Sequence, residues 1–353
     1  MQVEQNVNVV TVAGTRPEII KLSELLSSLG NDDIGHALLY TGQHFSGQMK
    51  DVFFRELGVK PDFDLRLDTS DIPTLAAEMT KFFRYARPRF VLVYGDTNSS
   101  LAGARAAAEA GCKIVHIEAG LRCFDLQVPE ERARIEIDSL SDHLLPPTDL
   151  SKLFLQYEGI NENVQVCGNL IVDVCKKLSE TDAGKTNALQ SLPSEYILLT
   201  LHRQENVDDP ETLVRLLRHL EGIKQYKVVF PVHPRTRSSL SRFGLSLPEN
   251  IIPIESLGYT EFLHVLRNSR LVLTDSGGVQ EEAVVLGKPC ITLRHVSERW
   301  ETLLLKANVL FPPHRRDSLA HVVDRMKDVR ITSHPYGNEV ARKMHSVIRS
   351  LVA

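Results

Sequence analysis

Short apolar runs alternate with longer amphipathic segments from the start of the chain. The apolar runs Val7–Val12 and Ala37–Tyr40 are each followed by an amphipathic segment, Pro17–Leu29 and Gly47–Leu57. Short runs of β-branched and apolar residues are typical of buried strands, whereas longer segments with a 3.6-residue period are typical of helices. The alternation therefore predicts βαβ units, in which helices cover both faces of a parallel sheet.

The same pattern predicts two sheets. In the first half it continues with strands at Phe90–Val93, Lys113–Ile117 and His143–Leu145. After a turn at Gly168-Asn169 and a polar stretch at Ser179–Ser194, the pattern restarts, with strands predicted at Tyr196–Leu201, Lys227–Phe230, Ile251–Ile252, Arg270–Leu273 and Cys290–Leu293. We therefore predict two doubly wound, Rossmann-like α/β domains facing across a cleft.

The domain limits follow from this restart. We place an N-terminal domain at residues 1–168 and a C-terminal domain at residues 169–333. The tail Glu339–Val352 has apolar or small residues at helical spacing, and we expect residues 334–353 to pack back on the first domain. A chain of 353 residues is long enough for two such domains, each with its own core.

Charge and hydropathy exclude several classes of partner. The formal net charge is −4, which argues against a nucleic-acid partner because binding a duplex needs a basic field. No apolar run approaches the roughly 20 residues that span a bilayer, and we expect a cytoplasmic protein with no membrane partner. The five cysteines are widely spaced without zinc-site spacing, which predicts reduced core thiols and no metal site.

Ligands of parallel sheets bind beyond the carboxyl ends of the strands, where helix N-termini point. After the first strand, Gly14–Lys21 carries Arg16 and Lys21 around a proline at the predicted helix start. The pair can clamp an anion, or it can be a solvated arginine and lysine on a capped helix. Neither a Walker loop nor a Gly-x-Gly-x-x-Gly motif occurs, so ATP hydrolysis and dinucleotide binding have no motif.

Four carboxylates lie at or beyond the ends of predicted first-domain strands. Asp96, Glu118 and Glu130 are candidates for acid–base chemistry, because neighbouring carboxylates shift one another's pKa values. The alternative is that Asp96 caps a helix and that Glu130 and Glu131 are first-turn acids. For Glu131 we favour that structural interpretation.

The second domain carries the strongest local signal. Ser276, Gly277 and Gly278 follow a predicted strand and open a helix, so that backbone amides can bind a diphosphate. Glu282, one turn further, can accept hydrogen bonds from ribose hydroxyls. The alternative is a glycine turn required only for packing. His202, after an earlier strand, is a further candidate, whereas Asp62 and Asp64 are interpreted as surface residues.

In order, these motifs resemble the non-hydrolysing UDP-N-acetylglucosamine 2-epimerases over nearly the whole chain. The matching blocks are GTRPEIIK from Gly14, TGQHF from Thr41, YGDTNS from Tyr94, HIEAGLR from His116, PEE from Pro129, LHRQEN from Leu201 and LTDSGGVQEEA from Leu273. The resemblance implies the glycosyltransferase-B architecture and epimerisation at C2 of a UDP-sugar without a cofactor. It also implies a homodimer.

The resemblance also implies roles for individual residues. Asp96, Glu118 and Glu130 are expected to be the acid–base and ring-stabilising carboxylates, with His202 near the leaving group. The substrate-binding set implied is Arg16, Lys21, Arg134, Phe262, Ser276, Gly277, Gly278 and Glu282, with Arg122 as a site or support residue. Gln43 and His44 match a segment that lines an allosteric UDP-sugar site in bacterial relatives. No metal is implied.

The chain departs from the family pattern at Ala133, Ser139, Leu170, Trp300, Leu304 and Lys306. These positions bear on the sugar pocket and the allosteric segment more than on the UDP site. Four alternatives to UDP-N-acetylglucosamine epimerisation therefore stay open. They are an epimerase acting on a modified UDP-sugar, a glycosyltransferase of the same fold, hydrolysis of the UDP-sugar, and a non-catalytic UDP-sugar sensor.

Overall fold

The computed structural model describes residues 7–43, 54, 57–179 and 192–353. The chain divides into two compact units. The first comprises Met1–Val174 with Pro335–Ala353, and the second comprises Cys175–His334. The five cysteines are free thiols, and four of them are buried.

The first unit contains a parallel sheet of six strands in the order β3-β2-β1-β4-β5-β6. The strands are β1 (Val9–Ala13), β2 (His36–Tyr40), β3 (Phe63–Asp64), β4 (Phe90–Tyr94), β5 (Lys113–Ile117) and β6 (His143–Leu145). The accompanying helices are α1 (Arg16–Gly30), α2 (Ile72–Ala86), α3 (Asn98–Ala110), α4 (Pro129–Leu140), α5 (Asp149–Tyr157) and α6 (Ile171–Ser179), whose last residues belong to the second unit.

The second unit repeats this architecture. Its six parallel strands lie in the order β12-β11-β10-β7-β8-β9. They are β7 (Tyr196–Thr200), β8 (Lys227–Pro231), β9 (Ile251–Ile254), β10 (Leu271–Thr274), β11 (Cys290–Thr292) and β12 (Asn308–Leu310). The helices are α7 (Gln204–Val207), α8 (Pro210–Glu221), α9 (Pro234–Phe243), α10 (Tyr259–Asn268), α11 (Gly277–Val285), α12 (Trp300–Leu304) and α13 (Leu319–Met326).

Local sequence accounts for where many helices begin. Thr97 caps α3 by accepting the Ser100 amide at 3.1 Å, and Asp209 caps α8 by accepting the Thr212 amide at 2.8 Å. Helices α1, α2, α4, α8 and α9 have proline in the first turn, where its missing N–H removes no helical hydrogen bond. Buried aliphatic residues on the strands then form the core of each unit.

The last helix, α14 (Val340–Val352), belongs to the first unit. Its residues Val340, Met344 and Ile348 are at most 1% exposed. The side chain of His345 lies 2.7 Å from the Ser28 hydroxyl of α1, and Arg89 donates to the Val352 carbonyl at 2.8 Å. The end of the chain therefore completes the core of the unit in which it begins.

The prediction of two Rossmann-like α/β domains is confirmed. The predicted strands are all present, and their ends differ from the prediction by at most two residues. Two short edge strands, β3 and β12, were not predicted. Most of the predicted segment Gly47–Leu57 and much of the stretch 179–194 lie outside the described residues. No helix in the described ranges is both long and apolar enough to cross a membrane.

Candidate functional site

Each sheet has a point at which the strand order reverses direction. In the first unit β1 pairs with both β2 and β4, and in the second unit β7 pairs with both β8 and β10. The loops that leave neighbouring strands on either side of such a point diverge and open a crevice for ligands. The segments that follow β1, β4, β7 and β10 therefore define one candidate site in each unit.

Glu18 connects two of these loops in the first unit. Its carboxylate accepts hydrogen bonds from the Gly14 and Thr15 amides at 2.9 and 2.7 Å, after β1, and from the hydroxyls of Thr97 and Ser100 at 2.7 and 2.9 Å, after β4. Burial raises the pKa of this carboxyl, although the hydrogen bonds oppose that shift. Sequence reasoning did not single out Glu18, although Thr15-x-x-Glu18 has the spacing of a helix capping box. Its contacts with Thr97 and Ser100 depend on the fold.

Glu118 lies directly after β5 and faces Lys21. The Lys21 ammonium and the Tyr94 hydroxyl both donate to Glu118 Oε1, each at 3.1 Å, and both charged side chains are nearly fully buried. The interpretation of Lys21 as a solvated lysine is therefore wrong. Glu118 also has φ = 71°, a left-handed conformation that costs a non-glycine residue about 1–3 kcal/mol. Strain of this kind is often found at functional sites.

Asp96, after β4, is bound by the guanidinium of Arg134 from α4. Asp96 does not cap the next helix, because Thr97 does so. The same guanidinium donates to Glu131 at 2.8 Å, and Glu131 accepts the amides of Cys123 and Phe124 at 2.8–3.0 Å. The expectation that Glu131 is structural agrees with these contacts, but its role is to hold a loop from inside the core.

A buried hydrogen-bond network around His116 connects the loops that follow β4 and β5 with helix α4. The His116 ring lies with Nδ1 2.6 Å from Asp138 Oδ1 and Nε2 2.9 Å from the Gly95 carbonyl oxygen. The ring thereby links the loop after β4 to helix α4. Burial alone would raise the pKa of Asp138, but the charges and hydrogen bonds of His116 and Arg122 hold it below its usual range. Arg122 also binds Glu158 at 2.6 Å and is a support residue.

The remaining first-unit candidates are Arg16, Glu130, Gln43 and His44. Arg16 is the first residue of α1 and Glu130 the second of α4, and both are half-buried. Gln43 is buried, and its Oε1 accepts the Ser99 amide at 3.1 Å and the Ser99 hydroxyl at 2.7 Å. His44 lies outside the described residues.

In the second unit, His202 follows β7 and faces Asp275, which follows β10. Asp275 is fully buried and accepts the backbone amides of His202 and Arg203 at 3.0 and 2.8 Å. Its Oδ1 lies 3.3 Å from His202 Nδ1, and the imidazole side chain is 36% exposed. Desolvation lowers the pKa of His202, while the charge of Asp275 opposes the shift. Asp275 was not singled out from sequence.

Ser276 is the N-cap residue of α11, and Gly277 and Gly278 are the first two residues of that helix. A Cβ at Gly277 would lie 2.2 Å from Glu298 Oε1, whereas at Gly278 the nearest atom is the Ser276 hydroxyl at 4.0 Å. A side chain at Gly277 would therefore have to displace the Glu298 carboxylate, whereas one at Gly278 would find room.

Glu282 lies one turn further along α11 and is nearly fully buried. Its Oε1 accepts the hydroxyl of Tyr259 at 2.8 Å, and Tyr259 begins α10. Phe262, one turn along α10, is half-buried and packs against the core below β7 and β10. The aromatic ring and the carboxylate therefore come from two helices that Tyr259 ties together.

These features define a two-domain α/β protein with two Rossmann-like units and acidic and amide-rich loops at the carboxyl ends of the strands. The family model of UDP-N-acetylglucosamine 2-epimerase matches residues 28–349, and the chain belongs to that family. The curated UDP-N-acetylglucosamine 2-epimerase of Methanococcus maripaludis is 40% identical over 345 residues, which cover 93% of this chain and 94% of the relative.

Two further relatives bear on substrate and fold. The UDP-2,3-diacetamido-2,3-dideoxy-D-glucuronate 2-epimerase of Pseudomonas aeruginosa is 39% identical over 312 residues, which cover 86% of this chain and 87% of the relative. A crystal structure of Methanocaldococcus jannaschii UDP-GlcNAc 2-epimerase in complex with UDP-GlcNAc and UDP matches with a TM-score of 0.89 and 38% identity, covering 97% of this chain and 99% of that chain. The architecture is therefore that of the glycosyltransferase-B fold.

Proposed function

We propose that this protein is a non-hydrolysing UDP-N-acetylglucosamine 2-epimerase, which interconverts UDP-N-acetylglucosamine and UDP-N-acetylmannosamine. The observation that carries the proposal is the buried Lys21–Glu118 pair, whose members follow β1 and β5 on either side of β4 in the first sheet of a chain that belongs to this family. An acidic group at that position can exchange the proton on C2 of the sugar.

In this reaction UDP must begin to leave before the proton on C2 can be removed. The C2 proton is not next to a carbonyl, so a carboxylate alone removes it slowly. As the C1–O bond breaks, its electron pair leaves with UDP, and the positive charge on the ring acidifies the C2 proton. A carboxylate then takes that proton and 2-acetamidoglucal forms. Protonation of C2 from the opposite face and re-addition of UDP at C1 complete the inversion.

We assign the acid–base and ring-stabilising roles to residues 1–168. Asp96, Glu118 and Glu130 are the proposed carboxylates, with Lys21 and Arg134 holding the first two in place. A cation beside each carboxylate favours its ionised form, which a base requires. Arg16, at the N-terminus of α1, is proposed to bind the diphosphate. Gln43 and His44 are the proposed allosteric residues.

We assign UDP binding to residues 169–333. Ser276, Gly277 and Gly278 are proposed to bind the diphosphate through the hydroxyl and amides at the start of α11. Glu282 is proposed to accept the ribose hydroxyls and Phe262 to lie against the uracil. His202, oriented by Asp275, is proposed to stabilise the leaving diphosphate.

The decisive experiment follows C2 in heavy water. Incubation of the protein with UDP-N-acetylglucosamine in D₂O should give the manno isomer with deuterium at C2, detected by proton NMR. Product without the label would contradict elimination and re-addition. Free N-acetylmannosamine and UDP would indicate a hydrolase, UDP release only with an acceptor would indicate a glycosyltransferase, and tight binding with no turnover would indicate a sensor.

A modified UDP-sugar is the second candidate substrate. It is favoured by the 39% identity to the P. aeruginosa epimerase named for a diacetamido uronate, which nearly equals the identity to the M. maripaludis enzyme. The same NMR assay with both UDP-sugars separates the two. A kcat/KM at least tenfold higher for the uronate would assign the protein to the modified substrate.

We further propose that the protein is a cytoplasmic homodimer, as the family resemblance implies. Light scattering on the purified protein should give twice the 39.6 kDa chain mass. A single-chain mass at micromolar concentration would contradict a stable dimer.

A further inference from the structure

A cavity of about 270 Å³ in the second unit is lined almost entirely by basic side chains. The lining residues are Arg215, Arg218, His219, Pro313, His314 and Arg315. We refer to this site as the basic cavity. The chain as a whole has a formal net charge of −4, so the cluster runs against the average charge of the protein. Like charges held together repel one another unless an anion lies between them.

The walls of the basic cavity come from two elements. Arg215, Arg218 and His219 are three and four residues apart on α8 and share one face of that helix. The opposite wall is the segment that follows β12. His219 Nε2 lies 3.2 Å from the Pro313 carbonyl oxygen, and its ring packs edge-on against Phe311 with centroids 4.9 Å apart. The imidazole therefore ties the two walls together.

Arg315 is also held in place. Its Nη1 donates to the Leu310 carbonyl at 3.1 Å, and its Nε donates to Asp317 at 2.9 Å. On the same wall the His314 ring stacks on His295, with centroids 4.3 Å apart and planes 16° apart. Donors that are fixed before a ligand arrives lose little conformational entropy when it binds.

The nearby carboxylates neutralise the cluster only in part. Glu211 lies 3.7 Å from Arg215, and Asp317 pairs with Arg315, but the two acidic side chains are 81% and 61% exposed. The longer Glu211–Arg215 pair is weak, whereas Asp317 accepts from both Nε and Nη2 of Arg315 and neutralises that guanidinium. Among the described residues, no carboxylate forms an ion pair with Arg218. The cavity thus keeps an excess of positive charge.

We propose that the basic cavity binds a phosphate-class oxyanion, either inorganic phosphate or the phosphate group of a larger metabolite. Guanidinium forks match two phosphate oxygens at once, which makes arginine suited to this ligand. The volume is below the about 300–1,000 Å³ of typical small-molecule pockets, so it accommodates a phosphate group and not a whole nucleotide sugar. No lining residue is among those proposed for UDP.

Calorimetry tests the proposal on the full-length protein. Inorganic phosphate is titrated with the protein saturated with UDP, so that phosphate cannot occupy a UDP site. The double variant Arg215→Ala, Arg218→Ala should bind phosphate at least tenfold more weakly than the wild type. The matched control is Arg325→Ala, which removes an exposed arginine of α13 outside the cavity and should leave the affinity within twofold.

Histidine NMR locates the ligand independently of UDP binding. Phosphate should shift the ring resonances of His219 and His314 and leave those of His202 and His233 unchanged. Unchanged His219 and His314 resonances, or equal affinity in the double variant and the wild type, would overturn the proposal. A phosphomonoester such as glycerol 3-phosphate distinguishes the sources, because tighter binding of the ester than of inorganic phosphate assigns the site to a larger metabolite.

Discussion

At the scale of single residues, the three buried or half-buried acids after β4 and β5 differ in what holds them. Glu131 is saturated by the amides of Cys123 and Phe124 and by Arg134. Asp96 and Glu118 are instead each paired with a cation from another element, Arg134 of α4 and Lys21 of α1. The contacts of Glu131 hold the loop at Cys123 and Phe124, whereas the pairs of Asp96 and Glu118 join separate elements of the unit. This difference supports a structural role for Glu131, and Asp96 and Glu118 remain the proposed acid–base groups.

Replacement of either proposed base should stop turnover without releasing UDP. Glu118→Gln and Asp96→Asn keep the size of the side chain but remove the charge, so we expect kcat to fall about 10²–10⁴-fold. UDP affinity should stay within about tenfold. Glu136→Gln, which breaks only the exposed pair with Arg105, is the control and should leave kcat within twofold. Parallel loss of UDP affinity would show that the two acids are structural.

His202 should take up a proton when the UDP-sugar binds. Desolvation holds its pKa below the usual range in the free protein, so the ring is neutral at pH 7. A diphosphate beside it favours the charged form and raises the pKa. Calorimetry with UDP-N-acetylglucosamine near pH 6.5, in buffers of different ionisation enthalpy, should report net proton uptake. His202→Asn should abolish that uptake, and identical uptake in the variant would exclude this role.

At the scale of elements, the start of α11 combines a packing requirement with an open surface. Gly277 is confined by Glu298, which is itself held by Arg294 at 3.1 Å, and Gly278 faces open space. The two glycines therefore differ in the room that a side chain would find. The assignment of this turn to diphosphate binding remains a proposal.

The two glycines form a matched pair of substitutions. Gly277→Ala should lower the free energy of unfolding by about 1–3 kcal/mol, because the new methyl group displaces Glu298 from its pair with Arg294. Gly278→Ala should change stability little or raise it slightly, since alanine is the better helix former. Urea unfolding of both variants measures the difference. Equal stability of the two variants would show that the Glu298 side chain moves aside at no cost.

The first residue of β2 should make the first unit sensitive to acid. His36 lies 2.9 Å from the Thr11 hydroxyl, and burial lowers its pKa to about 4. A histidine of the unfolded chain has a pKa of about 6.5, so between about pH 4 and 6.5 the unfolded state binds more protons than the folded state. The contribution of His36 to the free energy of unfolding is therefore complete above about pH 6.5 and is lost as the pH falls towards 4. At pH 5 the loss attributable to His36 is about 2 kcal/mol.

Urea unfolding at pH 7 and pH 5 measures this loss. His36→Gln removes the titrating ring and should reduce the drop in stability between the two pH values, whatever it does to stability at pH 7. His321→Gln is the control, because it removes an exposed histidine of α13 in the other unit. A variant that loses as much stability as the wild type would show that other groups cause the acid sensitivity.

At the scale of the whole molecule, the end of the chain is part of the unit in which the chain begins. Tyr336 accepts the Asn169 amide through its carbonyl at 3.0 Å, and a Cβ at Gly168 would lie 2.4 Å from that same carbonyl oxygen. Gly168 also has φ = 103°, which side chains rarely adopt. The first unit is thus built from two distant parts of the sequence that meet at this glycine.

Truncation of one buried side chain in α14 should therefore destabilise the first unit. Met344→Ala removes a side chain that is 1% exposed and should cost about 2–5 kcal/mol. Arg342→Ala, on the exposed face, is the control and should cost less than about 1 kcal/mol. Hydrogen exchange should show faster opening of α1 and β1 in Met344→Ala. Unchanged exchange there would mean that α14 does not contribute to the stability of that core.

The sequence pattern predicted the structure closely wherever that structure depends on residues that are near one another in the chain. Strand positions, helix starts at prolines and the Ser-Gly-Gly turn depend on neighbours within a few residues, and they were predicted closely. The edge strands β3 and β12 were not predicted, because they are two and three residues long and are defined by pairing with β2 and β11. Asp275 and the His116–Asp138 pair were missed for the same reason, since their partners are distant in sequence. Glu18 was missed although its capping box with Thr15 is a local pattern.

By itself, then, the sequence determined the α/β alternation of both units, the order of the motifs and the set of candidate side chains for a UDP-sugar site. Periodicity and turn chemistry are local, so they can be read along the chain. Only the tertiary structure decided which of those side chains are paired, because Lys21 and Glu118 are 97 positions apart and His202 and Asp275 are 73 apart. Parallel sheets bring the ends of distant strands to one edge, and the contacts formed there decide which acid supports a loop and which is paired with a buried cation.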